Sequence, residues 1–175
     1  KPTGIDVPGE SEGLVPTPKW LNQAHREQPE YYDPWVIGQN IQFAIGQGYF
    51  QASPLQMAVA YAALGNGGTV LKPRLMLQTE DAAGRVVSEA EPEATGNVPI
   101  DPDDRKVIME GLHDAAQAPE GTSYKVFGGF PVKVAGKTGT AEREGEADQA
   151  WYAVLAPYPH PEIAVVVTVE RGGFG

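Results

Sequence analysis

Four consecutive residues, Lys137-Thr138-Gly139-Thr140, place a fixed cation, two hydroxyls and a residue without a side chain next to one another. A lysine ammonium favours a bound carboxylate and stabilises the deprotonated form of a neighbouring nucleophile. Thr138 and Thr140 would donate hydrogen bonds to that carboxylate, and Gly139 would let an extended acyl chain lie along the backbone as another strand does. Just before them, Val132 and Val134 alternate with Lys133 and Ala135, the period-two pattern of a strand with one buried face. On that strand Thr138 and Thr140 share a face and Lys137 points to the other. The strand must therefore border a cleft that both faces reach.

Three readings of this run compete. Gly-Lys-Thr also ends a phosphate-binding loop, but that motif needs glycine where Pro131 stands, and an acidic stretch rather than an apolar helix follows Thr140. Alternatively, Gly136 and Gly139 mark a bulge and Lys137 is a solvated charge. In the third reading the run is the K-T-G element that serine acyltransferases use alongside S-x-x-K and a serine-asparagine motif. The four residues alone do not separate the last two.

The 175 residues are enough for one domain with a real core, and 41% hydrophobic with 21% charged residues is an ordinary globular composition. A net charge of -10 argues against nucleic acid or an anionic membrane surface as a partner, since both need a basic face. Without cysteine there is no disulfide framework and no thiolate metal site. His25, His113 and His160 have no metal-ligand spacing and read as surface residues. No metal and no cofactor is expected. No run reaches the ~20 apolar residues of a membrane span.

Residues 1–44 are rich in Pro, Gly and polar residues and read as an extended ordered loop, with Trp20, Tyr31, Tyr32 and Trp35 anchoring it to a core. Residues 45–68 hold a Gly-Gln-Gly segment and a helix. Ser53 is its N-cap, Pro54 its first residue and Gln56 completes a capping box; Gly65-Asn66-Gly67-Gly68 ends it. Residues 69–175 carry the sheet: a strand over Thr69 to Thr79 broken by Pro73, a hairpin partner at Val86-Val87, and an exposed loop from Glu80 to Asn97. A helix over 101–118 follows, with Asp101 as N-cap and Val107, Ile108, Leu112 and Ala115 as its buried stripe. Glu120 to Ser123 turns the chain toward the central strand, and Glu142 to Asp148 reads as a solvated turn. Trp151 to Ala156 and Ile163 to Val169 are two further strands, apolar enough to predict that both sheet faces are covered.

Pro2-Thr3-Gly4-Ile5-Asp6-Val7-Pro8-Gly9-Glu10, then Ile45-Gly46-Gln47-Gly48-Tyr49 with Ser53-Pro54-Leu55-Gln56, then Lys137-Thr138-Gly139-Thr140-Ala141-Glu142 with Ala150-Trp151-Tyr152, resemble in order and spacing a class B penicillin-binding protein. The Gly-Leu-Val-Pro-Thr-Pro stretch at residues 13–18 resembles the elongation-type subgroup, penicillin-binding protein 2. The resemblance implies an α+β fold of the penicillin-binding protein and serine β-lactamase type, an antiparallel five-stranded sheet flanked by helices, here incomplete. It implies a peptidoglycan D,D-transpeptidase that cross-links stem peptides ending in D-Ala-D-Ala through an acyl-enzyme and is acylated by β-lactam antibiotics. It places the parent on the extracytoplasmic side of the plasma membrane, anchored by an N-terminal segment, with elongation glycosyltransferase and scaffold partners. Lys137 and Thr140 become catalytic, Thr140 through its N–H as an oxyanion donor, and Thr138, Gly139 and Thr140 bind substrate.

The departures bear on activity. Three places after Ser11, Ser53, Ser88 and Ser123 stand Leu14, Gln56, Glu91 and Val126, so no serine begins S-x-x-K, and no serine or tyrosine has asparagine two places on. In the family both motifs precede the Pro-Thr-Gly-Ile-Asp segment. The expectation is a C-terminal piece of a larger enzyme that holds one of three catalytic motifs and no nucleophile. A non-catalytic penicillin-recognising sensor or scaffold of the same fold is the alternative, and a β-lactamase fits poorly with the long first loop and the Gly-Gln-Gly segment.

Overall fold

The computed structural model describes residues 1–28, 35–143 and 145–175; Tyr31, Tyr32 and Glu144 lie outside the described residues. Three helices begin with the same two-residue grammar, a side-chain acceptor followed by proline. Thr17 accepts from Trp20 N at the start of α1 (Pro18–Glu27), Ser53 from Gln56 N at the start of α3 (Pro54–Gly65), and Asp101 from Asp103 N and Asp104 N at the start of α4 (Pro102–Gln117). Proline costs nothing at that position because its missing N–H would have no partner in the first turn. With α2 (Ile37–Ala44), α1 corrects the reading of 1–44 as an extended loop. Leu21 of α1 is fully buried and Trp20 packs against Tyr49 with ring centroids 5.3 Å apart, so helix burial rather than loop anchoring ties this region down.

The N-terminal segment is fastened to α3 by one side chain. Gln56 Nε2 donates to the carbonyls of Lys1 and Glu12, both at 2.9 Å, while its Oε1 accepts from Ser53 N at 2.8 Å. Gly13 passes this point at φ +61, where a Cβ would stand 2.6 Å from Gln56 Oε1. Leu14 and Gln51 then pair as an isolated antiparallel bridge.

Two small antiparallel pairs follow, β1 (Thr69–Leu71) with β4 (Ala94–Asn97) and β2 (Gln78–Glu80) with β3 (Val86–Glu89). The predicted hairpin is present, but the break around Pro73 runs from Lys72 to Leu77, and the predicted loop from Glu80 to Asn97 contains two strands. They are held by backbone pairing with little burial, which leaves no hydrophobic pattern in the sequence to announce them.

The main sheet among the described residues is β5 (Ala135–Ala141), β6 (Gln149–Ala156) and β7 (Ile163–Val169), antiparallel in that order. Its core is Met109, Ala135 and Leu155, with Tyr61, Leu64, Leu112 and Tyr158 packed around them, so α3 and α4 both flank the sheet. The stripe expected on α4 is corrected in part: Leu112 packs against the core as expected, but Val107 is 68% exposed and Ile108 46%, whereas Met109 and Ala116 are buried. Met109, Leu112, His113 and Ala116 recur at helical spacing and face the sheet. On β7 Ile163, Val165, Val167 and Val169 are exposed, which corrects the expectation that both faces of both strands are covered.

Candidate active site

Strand β5 begins at Ala135, three residues later than the valine alternation predicts, because α4 side chains take the backbone groups before it. Val134 N donates to Gln117 Oε1 at 3.0 Å, and Val134 O lies 2.8 Å from His113 Nδ1. His113 is thus a packing residue, stacked on Tyr158 with centroids 4.2 Å apart, and the reading of it as a surface residue is corrected. From Ala135 the strand pairs with β6 along its whole length, Lys137 opposite Ala153, Thr138 opposite Tyr152, Gly139 opposite Trp151 and Thr140 opposite Ala150. Its other side carries no strand among the described residues.

The alternation that turns Lys137 away from the threonines holds at the backbone and is undone by the side chain. Lys137 Nζ reaches the neighbouring residue, donating to Thr138 O at 3.0 Å and to Thr138 Oγ1 at 3.2 Å. Thr138 Oγ1 in turn donates to Thr122 Oγ1 at 3.3 Å. Lysine has the reach for this because its ammonium sits on a flexible four-carbon stem. A cation and two hydroxyls therefore cluster at an exposed strand edge, and the sequence motif contains only one of those hydroxyls.

Thr140 lies apart from this group, and its Oγ1 accepts from Gly175 N at 3.1 Å. Its own proton stays available for donation. A Cβ at Gly139 would stand 3.3 Å from Trp151 Cβ on β6, a close contact with the paired strand. Lys137 to Thr140 line a cleft of ≈ 680 Å³ whose opposite wall is the Ile45–Ala52 segment with Met57 and Tyr61 of α3. Burial, with the nearby Tyr152 phenol, pushes the Tyr61 hydroxyl above its ordinary value, so Lys137 faces no phenolate from that wall near neutral pH.

Thr122 is the site residue that reading the sequence missed, although the turn carrying it was identified. No local pattern marks it, because it reaches Thr138 through the fold. Behind the strand the next residue, Ser123, is 6% exposed; its Oγ donates to Ala115 O at 3.1 Å and lies 3.0 Å from Tyr152 Oη. Tyr152 stacks on Phe127 of α5 (Tyr124–Phe127), centroids 5.1 Å apart. Its phenol is pushed up by burial, against which the Ser123 hydrogen bond acts.

Comparison with known proteins gives concordant matches. A family model described as the penicillin-binding protein transpeptidase domain matches residues 1–175. A peptidoglycan D,D-transpeptidase MrdA of Salmonella typhimurium is 34% identical over 190 residues, covering 99% of this chain and 29% of that protein. The chain thus spans less than a third of the length of such curated relatives. Among solved structures, Pseudomonas aeruginosa PBP2 in complex with WCK 5153 superimposes with a TM-score of 0.77 at 32% identity, over 97% of this chain and 36% of that one. A complex between PBP2 and MreC from Helicobacter pylori matches with a TM-score of 0.76 at 26% identity, over 100% of this chain and 30% of that one.

Proposed function

The chain belongs to the penicillin-binding protein transpeptidase family, and from that premise we propose that it is part of a peptidoglycan D,D-transpeptidase of the elongation type, acylated by stem peptides ending in D-Ala-D-Ala and by β-lactams. The observation that carries this reading is the Lys137 ammonium held at the exposed edge of β5 beside the Thr138 hydroxyl, facing a cleft large enough for a peptide. In the mechanism, Lys137 supplies the fixed charge that attracts the substrate carboxylate and lowers the cost of ionising a nucleophile contributed from elsewhere in the parent protein. Thr140 donates to the carboxylate, Thr138 holds the Lys137 ammonium in place beside it, and Thr140 N–H faces the developing oxyanion. The acyl chain docks along the edge of β5 beside Gly139 in the manner of an added strand.

The likeness to a PBP2 in complex with MreC supports a parent that works with a partner of that kind, and the same reading places it on the outer side of the plasma membrane with elongation scaffold and glycosyltransferase partners. Among the described residues no helix is long and apolar enough to cross a membrane. The test is Lys137→Ala in the full-length parent, followed by stopped-flow acylation with penicillin. Loss of one electrostatic contact in the transition state is on the order of 3 kcal/mol, so a fall of about a hundredfold is expected with the fold intact. A rate within about threefold of wild type would remove Lys137 from the mechanism.

A further inference from the structure

The direction of the hydrogen bonds around Lys137 identifies which hydroxyl is free to meet a substrate. An ammonium only donates, so Thr138 Oγ1, 3.2 Å from Lys137 Nζ, is the acceptor of that bond. The single proton on Thr138 is directed to Thr122 Oγ1 at 3.3 Å. Thr122 then holds the last proton of the chain, and among the described residues nothing accepts it. A hydroxyl that accepts from a group polarised by a cation becomes a better donor itself. The residue is also exposed.

Its position is built into the fold. Gly121 seats the turn against the end of α4, where a Cβ would stand 2.3 Å from Asp114 O. The buried Ser123 fastens the other side of the turn to Ala115 O and to Tyr152, the cross-strand partner of Thr138. Thr122 is pinned between these two residues, within hydrogen-bond reach of Thr138.

We propose that Thr122 contacts the carboxylate of the substrate or β-lactam directly, as the terminal donor of the relay Lys137 to Thr138 to Thr122. This rests on the transpeptidase reading and names a further binding residue in that site. A peptide carboxylate and a β-lactam carboxylate share the chemistry the relay recognises.

The experiment compares acylation of the full-length parent by benzylpenicillin and by its methyl ester, which lacks the charge the relay serves. Wild type is expected to favour the free acid. Thr122→Val is expected to slow the free acid about ten- to a hundredfold, the effect of one hydrogen bond to a charged group, while slowing the ester clearly less. Thr122→Ser keeps the hydroxyl and should keep the wild-type preference. Thr122→Val with an undiminished acid-to-ester ratio, or a Thr122→Ser variant as impaired as the valine one, would overturn the proposal, and an equal slowing of both compounds would reduce Thr122 to a structural role. If wild type itself reacts with neither compound, the transpeptidase reading falls and takes this assignment with it, a result that no comparison of variants can imitate.

Discussion

At the scale of single residues the two glycines of β5 differ in what they permit. Beside Gly136, a Cβ would meet Tyr152 Oη at 2.6 Å and Ala153 O at 3.0 Å, and the carbonyl belongs to the paired strand and cannot step aside. At Gly139 the nearest atom is Trp151 Cβ at 3.3 Å, a contact that a few tenths of an ångström relieves. Gly136→Ala in the full-length parent is therefore expected to lower the unfolding free energy by about 1–3 kcal/mol, and Gly139→Ala by clearly less. Urea titration of the two variants side by side measures the contrast; equal losses would mean that Tyr152 does not lie across Gly136. Gly139 meets two demands that the sequence alone does not separate, a substrate path along the strand edge and the space beside Trp151, and the second is a contact within this chain. Lys137 was legible as a cation, but its return to Thr138 depends on a side-chain path that alternation does not describe.

At the scale of elements, legibility follows the caps. Ser53-Pro54 and Asp101-Pro102 announced α3 and α4, and the same grammar at Thr17-Pro18 was obscured by Pro16, which makes the stretch look like a break. The burial stripe of α4 is only partly legible because branched aliphatics such as Val107 and Ile108 stand out in a sequence, while Met109 and the small Ala116 are what is buried alongside Leu112. The β2–β3 hairpin rests on polar contacts at its turn. Asp81 Oδ1 accepts from Arg85 N at 3.0 Å and from Ala83 N at 2.9 Å, and Asp81 Oδ2 lies 2.7 Å from the Arg85 guanidinium. The Arg85 amide first, then the Arg85 side chain, hold the Asp81 carboxyl below its ordinary value. A lowered carboxyl favours the folded turn in its ionised form. Its contribution is complete above the ordinary aspartate value and disappears as pH falls through the lowered one. A carboxyl-detected NMR titration should place Asp81 below the exposed carboxylates, with the hairpin amides shifting over the same acid range. Titration at the ordinary aspartate value would separate the turn from this charge.

At the scale of the whole molecule, β7 is readable end to end and β6 from Trp151 onward, because apolar runs between turn signals are the strongest pattern a sheet leaves in a sequence, whereas the polar Gln149 that opens β6 gives no such signal. What periodicity could not supply was coverage: Val165 and Val167 look like core residues, yet this chain leaves them exposed. The same distinction governs reactivity. Acyl transfer needs a hydroxyl whose proton a neighbouring base can take, and each serine can be examined in place. Ser53 Oγ accepts from Gln56 N at 3.2 Å as a helix cap. Ser123 is buried and bonded to Ala115 O, and Ser88 stands on β3 across from Thr79. Ser11 belongs to the first segment, where its carbonyl accepts from Gln56 Nε2. Lys137 is bonded to Thr138, and none of these serines is among its hydrogen-bond partners. The 175-residue chain by itself should therefore form no covalent adduct with penicillin, retaining at most a weak, salt-sensitive association through its cation. Intact-mass spectrometry after incubation with excess penicillin reads the result directly. A stoichiometric mass increase mapping to Ser11, Ser53, Ser88 or Ser123 would place a complete nucleophile inside this chain, and the role of Lys137 would then have to be rebuilt around that serine.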